Sequence, residues 1–238
     1  MICKNTESNI GPIELIGINS SPLITLSKKP LRKIECFGNS ITCGTGSDMS
    51  EVACGKGRWE DQHNAYMSYG ALVARKFNAQ WQLSSYSGIG LIHSCCNMDF
   101  TMPDAFDKIG LKPGTPIWDF KNYTPDIVTI CLGQNDGIQD STVFCSAYVK
   151  FIQTLRTKYP QAQIICITSP MANEALRAAM KSYLTGVELY MKQQADTKVH
   201  TYFFSKSWNN GCDAHPSMAE HQEIADELEG YIAEIMGW

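Results

Sequence analysis

The sequence predicts an α/β fold in which a central parallel sheet lies between two layers of helices. From residue 32 onward, short apolar segments alternate with longer segments whose apolar residues recur at helical spacing. This alternation is typical of a parallel sheet that is covered on both faces. Polar turns that contain glycine or asparagine directly follow three of the predicted strands. Ligand sites of such sheets lie beyond these carboxyl ends.

Five strands are predicted from the short apolar segments. The most uniform is residues 127–132, Ile-Val-Thr-Ile-Cys-Leu, bounded by Pro125 and Gly133. A continuous apolar run of this length favours a strand buried on both faces. The other four are residues 34–37, 81–85, 164–168 and 199–204.

Four helices are predicted between and after these strands. The last of them places Ile224, Leu228, Ile232 and Ile235 on one face, as expected for a helix that covers a core. The predicted helices are residues 69–77, 143–159, 175–194 and 218–235.

Residues 1–30 differ from the rest, and Pro30 marks the boundary with a main domain of residues 31–238. Alternating apolar residues predict short strands over 13–18 and 22–26, with a turn at 19–22. The extension is too short to be a domain. Two interpretations stay open: the end of a β-domain whose remainder lies outside this sequence, or a strand that packs beside the main sheet.

The composition indicates one large soluble domain and excludes several classes of protein. The 238 residues are 44% hydrophobic and 18% charged, which is ordinary for a globular chain. A formal net charge of −4 without a basic stretch argues against nucleic-acid binding. No apolar run approaches the ~18 residues that would span a bilayer. We therefore expect neither a nucleic-acid nor a membrane partner, and we expect a monomer.

The ten cysteines leave two states open. Cys36, Cys131 and Cys166 lie in apolar runs, where a thiol acts as a small buried hydrophobe. Others lie in loop-like contexts, but a chain of this length does not need disulfides for stability, so free thiols are favoured over disulfides. No Cys-x-x-Cys occurs, which argues against a zinc knuckle. The loop-like cysteines are Cys54, Cys95, Cys96, Cys145 and Cys212.

Four polar segments supply the residue types that acyl transfer requires. A serine nucleophile needs a base that accepts its proton and donors that stabilise the oxyanion. Ser40, Gly88 and Asn135 each follow a predicted strand, so we expect them to meet at one edge of the sheet. His215 lies in the loop before the last helix.

Each of these residues also has an ordinary structural interpretation. Ser40, the predicted nucleophile and first oxyanion N–H donor, could instead be a helix N-cap. Gly88, through its N–H, and Asn135, through its amide, are the other predicted oxyanion donors, although both segments also suit plain turns. His215, the predicted base, could be a solvated loop histidine. No Gly-x-Ser-x-Gly elbow occurs, which disfavours the α/β-hydrolase fold.

Taken together and in this order, the four segments resemble the motif blocks of the SGNH (GDSL-type) hydrolases, from about Ile34 to the C-terminus. The resemblance implies a three-layer, flavodoxin-like α/β/α fold. In that family an Asp three residues before the His completes a triad, but Cys212 occupies this position. Either Asp213 replaces it, or a backbone carbonyl orients His215 and a Ser–His dyad operates; the dyad is favoured. An acceptor is needed in both cases to fix the imidazole tautomer.

The chain also contains the segments Gly38–Gly44, Tyr69–Arg75, Trp118–Asp126 and Asp213–Pro216. These segments narrow the resemblance to carbohydrate esterase family 2, whose members deacetylate sugars of plant cell-wall polysaccharides and usually carry an N-terminal β-sandwich. The resemblance implies a metal-independent acetyl esterase without cofactor, acting on acetylated oligo- or polysaccharides such as xylan or glucomannan. It also implies a secreted or periplasmic protein, although no leader is present and a cytoplasmic location stays open.

Trp208 and His93 are the predicted substrate contacts. Trp208 lies seven residues before His215 and could stack on a sugar ring, although a packing aromatic is the alternative. His93 follows the segment that contains Gly88 and could approach the substrate. Two other functions stay open: an esterase for longer acyl chains of the lipase or thioesterase type, and a catalytically silent carbohydrate-binding homologue.

Overall fold

A five-stranded parallel sheet with the strand order β2–β1–β3–β4–β5 forms the centre of the molecule. The computed structural model describes residues 4–11, 13–19 and 28–238. The chain runs from β1 outward to β2 and then returns across β1 to β3, so the winding direction reverses at β1. The strands are β1 (Lys33–Gly38), β2 (Gln80–Ser85), β3 (Ile127–Cys131), β4 (Gln163–Ile167) and β5 (Val199–Tyr202).

Helices cover both faces of this sheet and confirm the predicted three-layer α/β/α architecture. Helices α2 and α6 pack on one face, and α4 and α5 pack on the other. None of the helices in the described ranges combines the length and apolar content that crossing a bilayer requires. The helices are α1 (Ser40–Cys43), α2 (Tyr69–Lys76), α3 (Met102–Ala105), α4 (Ser141–Lys158), α5 (Glu174–Gln193) and α6 (Met218–Met236).

Strand β1 shows why the sheet is apolar on both sides. Successive side chains of a strand point to opposite faces. Ile34 and Cys36 lie in the cluster under α2 and α6, whereas Phe37 lies in the cluster under α4 and α5. These side chains are at most 1% exposed. Strand β1 is therefore buried between the two helical layers, where it pairs with β2 and β3, and its carboxyl end opens at the point where the winding reverses.

The predicted strand over residues 13–18 is wrong. Residues 13–19 form neither helix nor strand, and Ile13, Leu15, Ile16 and Ile18 are 60–94% exposed. An extended segment becomes a strand only when a neighbour pairs its N–H and C=O groups, and no strand of the described chain pairs with it. The predicted strand over 22–26 lies outside the described residues, and so does most of the turn at 19–22.

The expectation of free thiols is wrong for four cysteines. Disulfides join Cys54 to Cys212 and Cys95 to Cys96. Cys54 and Cys212 are 158 residues apart in the sequence but 5.2 Å apart between Cα atoms, a proximity that only the tertiary fold creates. The three cysteines expected to be buried thiols, Cys36, Cys131 and Cys166, are free and buried, and Cys43 and Cys145 are also free.

Arg156 connects three parts of the chain behind α4. Its Nε and Nη2 atoms donate to the two carboxylate oxygens of Asp196 at 2.9 and 3.1 Å. Its Nη1 atom donates to the carbonyl oxygens of Tyr159 and Ala162. The planar guanidinium thus joins the end of α4, the approach to β4 and the turn before β5, in a way that a lysine cannot reproduce.

We predict that Arg156→Lys lowers the free energy of unfolding in urea by about 1.5–3 kcal/mol, the range for hydrogen bonds to a charged group. Lys192→Ala is the matched control, because it removes an ion pair with Glu188 whose lysine is half-exposed. Such a pair contributes at most about 0.5 kcal/mol. Equal losses in the two variants would contradict the structural role assigned to Arg156.

Candidate active site

Ser40 lies directly after β1, at the first position of α1. Gly38 permits the close approach of Thr42, whose side chain would collide with any Cβ at position 38. The Asn39 side chain then caps α1 by accepting the Ile41 N–H at 3.2 Å, and Gly44 ends the helix with a φ of 70°. The N-cap is therefore Asn39, and Ser40 is the next residue, with 8% of its surface exposed.

The structure brings His215 to Ser40. The Nε2 atom of His215 lies 2.8 Å from the Ser40 hydroxyl oxygen, and its Nδ1 atom lies 3.2 Å from the carbonyl oxygen of Cys212. A carbonyl oxygen only accepts, so Nδ1 carries the proton in this network. Nε2 is then unprotonated and accepts the Ser40 hydroxyl proton, which is the tautomer that a general base requires.

Burial governs the charge of His215. It lowers the pKa of His215 below the ordinary histidine value of 6.5, and the Cys212 carbonyl and the negative charge of Asp213 oppose this shift. The Asp213 side chain is exposed, and within the described chain no hydrogen bond joins it to His215. The imidazole is therefore neutral at neutral pH, and its orientation comes from a backbone carbonyl.

The loop that carries His215 adopts an unusual backbone conformation. Asp213 and Ala214 have φ angles of 52° and 56°, in the left-handed region that costs free energy for residues other than glycine. The Cys212 N–H donates to Gly46 at 2.8 Å, and the Gly211 N–H donates to the His215 carbonyl at 2.7 Å. The disulfide to Cys54 fastens the same loop covalently.

Residues 86–89, which include Gly88, form a tight turn after β2. The Ile89 N–H donates to the Tyr86 carbonyl at 3.2 Å, and Gly88, third in this turn, has a φ of 83°. A positive φ at the third position is typical of a type II turn and favours glycine. No hydrogen bond of the described residues uses the Gly88 N–H, and the first N–H of a helix, here that of Ser40, lacks an intrahelical partner.

Asn135 lies after β3, on the opposite side of β1 from Gly88. Its Nδ2 atom donates to the Ile89 carbonyl at 2.8 Å. One amide hydrogen therefore holds the turn that carries Gly88, and the other remains for a ligand. Parallel strands β2, β1 and β3 are adjacent. Gly88, Ser40 and Asn135 therefore follow three neighbouring carboxyl ends at the point where the winding reverses, as the sequence predicts.

Asp136 holds the loop after Gly88, a role that the sequence reasoning missed. This 5%-exposed carboxylate accepts the N–H groups of Leu91, Ile92 and His93 at 2.7–3.0 Å. Position 136 directly follows Asn135 in the turn after a predicted strand, which is a weak local signal of such a role. The His93 side chain is exposed on this loop, and its contact with substrate stays a prediction.

Trp208 does not lie where the sequence expectation placed it. It is 1% exposed, its Nε1 atom donates to Glu223 at 2.8 Å, and its ring packs edge-on against Phe204. A ring enclosed by protein offers no face to a sugar, so the alternative, a packing aromatic, is what the structure shows.

The described residues contain no group of three His, Cys, Asp or Glu side chains that could hold a metal ion. The polar groups of the site are instead a hydroxyl, an imidazole, an amide and backbone N–H groups. This set can transfer an acyl group through a covalent serine ester.

Comparison with known sequences identifies relatives of this chain. The model of the GDSL-like Lipase/Acylhydrolase family matches residues 36–222. The chain is 34% identical to "Cellulase/esterase CelE" of Acetivibrio thermocellus, over all of this chain and 30% of that protein. It is also 34% identical to an "Acetylxylan esterase / glucomannan deacetylase" of Cellvibrio japonicus, over 88% of this chain and 58% of that protein. The chain thus spans 30% and 58% of the lengths of these two relatives.

Solved structures give the same grouping. A family two carbohydrate esterase from Clostridium thermocellum in complex with cellohexaose is 33% identical, with a TM-score of 0.83 over 91% of this chain and 68% of that chain. A family two carbohydrate esterase from Cellvibrio japonicus is 32% identical, with a TM-score of 0.81 over 90% of this chain and 64% of that chain. The chain belongs to the GDSL-like lipase/acylhydrolase family, and within it to the family 2 carbohydrate esterases.

Proposed function

We propose that this protein is a serine esterase that removes O-acetyl groups from plant cell-wall polysaccharides such as xylan or glucomannan. The observation that carries the proposal is the 2.8 Å hydrogen bond between His215 Nε2 and the Ser40 hydroxyl. The substrate class rests on relatives named acetylxylan esterase and glucomannan deacetylase. A related structure that holds cellohexaose supports a sugar chain as ligand.

In the first step, Ser40 Oγ attacks the carbonyl carbon of the acetyl ester, and His215 Nε2 accepts the hydroxyl proton. The resulting imidazolium keeps its Nδ1–H on the Cys212 carbonyl, which lies 3.2 Å away. The negative oxygen of the tetrahedral intermediate accepts from the Ser40 and Gly88 N–H groups and from the second amide hydrogen of Asn135. A single oxyanion donor is worth about 3–4 kcal/mol in the transition state.

The intermediate then collapses and breaks the bond between the acetyl carbon and the sugar oxygen. His215 returns its proton to that oxygen, so the sugar leaves as an alcohol and the acetyl group remains on Ser40. A water molecule attacks this ester while His215 accepts a proton from it, and acetate leaves as Ser40 recovers its hydroxyl proton. Every proton therefore passes through one imidazole.

The domain organisation and the location belong to the same proposal. Residues 31–238 are the esterase domain, and residues 1–30 are an extension of it. The Cys54–Cys212 disulfide favours an oxidising compartment, and the polysaccharide substrate lies outside the cell. We therefore propose a secreted or periplasmic monomer.

The central test is acetate release from 4-nitrophenyl acetate and from acetylated xylan. We expect the parent to release acetate from both, and Ser40→Ala and His215→Ala to lose at least ~10³-fold in kcat, because nucleophile and base act as one unit. His200→Asn is the matched control, since His200 is a half-buried histidine on β5 that bonds Gln163.

Other outcomes distinguish the alternatives. A parent that prefers hexanoyl to acetyl esters would be an esterase for longer acyl chains. A parent that binds xylan but releases no acetate would be a silent binding homologue. Either result would contradict the proposed function.

We predict that Asp213→Asn retains kcat within about tenfold of the parent, because the Cys212 carbonyl and not Asp213 orients His215. Asparagine tolerates the left-handed conformation of position 213, so the variant removes the charge without straining the loop. The negative charge of Asp213 raises the pKa of His215. Its loss therefore moves the acid limb of kcat/KM, already below pH 6.5 in the parent, to lower pH. A loss as large as that of His215→Ala would establish a triad.

We predict that Cys54→Ser lowers both the melting temperature and kcat. A disulfide typically contributes about 2–4 kcal/mol of stability, and this one fastens the residue whose carbonyl orients His215. Treatment of the parent with dithiothreitol, which reduces both disulfides, should lower the melting temperature and kcat by at least as much. Cys145→Ser, at a free half-buried cysteine, is the control. An unchanged kcat in Cys54→Ser would show that the hydrogen bonds alone hold the loop.

A further inference from the structure

The N-terminal segment, residues 4–11, reaches the turn that carries Gly88. Glu7 of this segment is only 7% exposed. One of its carboxylate oxygens accepts the backbone N–H of Ser87 at 2.6 Å, and the other accepts the Ser87 hydroxyl. Both oxygens of this buried carboxylate thus bind the residue that directly precedes Gly88.

Hydrogen bonds also connect Ser87 to the segment around helix α1, which carries Ser40. The Thr45 hydroxyl lies 2.8 Å from the Ser87 hydroxyl. Because Ser87 donates its own proton to Glu7, Thr45 is the donor in this second bond. The Thr45 N–H in turn donates to the Ser40 carbonyl at 3.0 Å. A chain of hydrogen bonds therefore runs from Glu7 through the turn to the first residue of α1.

Two further contacts anchor the segment on either side of Glu7. The carbonyl of Asn5 accepts the Ala65 N–H at 2.9 Å, and the Ser8 hydroxyl donates to the Gly110 carbonyl at 2.8 Å. Burial raises the pKa of Glu7, and the hydrogen bonds from Ser87 oppose the rise. Burial of a carboxylate costs free energy unless its oxygens accept hydrogen bonds. The two hydrogen bonds from Ser87 therefore stabilise the buried Glu7 side chain, and they also hold Ser87 in place.

Hydrogen bonds hold the two peptides that flank the Ser87–Gly88 peptide, whose N–H is that of Gly88. The Gly88 carbonyl is fixed on one side by the Cys95 N–H at 2.8 Å. Glu7 fixes Ser87 on the other side, by both its N–H and its hydroxyl.

We propose that Glu7 is a positioning residue of the esterase site, which holds the turn that carries Gly88 against the segment that follows Ser40, so that the Gly88 N–H is directed at the oxyanion. Glu7 touches no reacting atom and acts through Ser87. This inference rests on the proposed function, because it assigns Glu7 a part in the same site.

The test compares kcat and KM of full-length Glu7→Ala, Glu7→Gln and Ser8→Ala on 4-nitrophenyl acetate. We expect Glu7→Ala to lose about 10- to 100-fold in kcat, less than the 10²–10³ of a deleted donor, with KM within twofold. An oxyanion donor acts only in the transition state, so its misplacement lowers kcat and leaves substrate binding unchanged. Glu7→Gln keeps one acceptor for the Ser87 N–H and should show a smaller loss, of about two- to tenfold in kcat.

Ser8→Ala is the matched control, because it weakens the docking of the segment without touching Ser87. We expect it to keep the parent kcat. A boronic acid that forms a tetrahedral adduct with Ser40 provides a second readout: its affinity should fall in Glu7→Ala by the same factor as kcat. Melting temperatures show whether each variant is folded. If Glu7→Ala is unfolded, the test uses Glu7→Gln instead. In that case the inference predicts a loss of kcat smaller than tenfold and an unchanged KM.

Two results would overturn the inference while the proposed function stands. The first is the parent kcat in a folded Glu7→Ala, or in a folded Glu7→Gln where Glu7→Ala is unfolded. The second is a loss of kcat in Ser8→Ala equal to that in the Glu7 variant. A parent that neither releases acetate nor binds the boronic acid would overturn the proposed function, and the inference with it.

Discussion

The hydrogen bond between Ser40 and His215 joins residues 175 positions apart, and the rest of the site is arranged around it. Ser40 is fixed by the end of a central strand and by the Asn39 cap, so its position comes from the core of the sheet. His215 lies on a loop without regular structure, where nothing in the sheet determines its position. The structure compensates with backbone hydrogen bonds to the Gly46 region and with a disulfide.

Buried carboxylates hold the loops at this edge of the sheet. Asp136 accepts three N–H groups of the loop after Gly88, and Glu7 binds Ser87 from the N-terminal side. Glu220, at the start of α6, accepts the N–H groups of Asn209 and Asn210 ahead of the His215 loop. The two oxygens of a carboxyl group can accept several N–H groups at once, which suits segments that no helix or strand stabilises.

The architecture and the central pair of the site could be predicted from the sequence because both leave local signals. Residues 127–132 form a short, mostly apolar run, which favours a strand buried on both faces. Ser40, Gly88 and Asn135 each follow a predicted strand, so the topology of a parallel sheet brings them together. The residues that orient this machinery leave no such signal. Glu7 lies 80 positions from Ser87, and Cys54 resembles any other loop cysteine.

The errors have the same origin. The alternation of residues 13–18 is a correct pattern for a strand, but no neighbouring strand pairs with it. Trp208 lies close to His215 in the sequence, yet the chain turns inward there and the indole fills the core beside Phe204. Sequence distance measures neither exposure nor pairing, both of which depend on parts of the chain that are far away.

The wide separation of Ser40 and His215 also has a consequence for biosynthesis. A nascent chain contains Ser40 as soon as β1 has been made, but it gains His215 only 175 residues later, after all five strands. The loop is fastened only after oxidation of Cys212 with Cys54. The Ser40 hydroxyl therefore has no His215 imidazole to accept its proton until all the strands of the sheet have been synthesised.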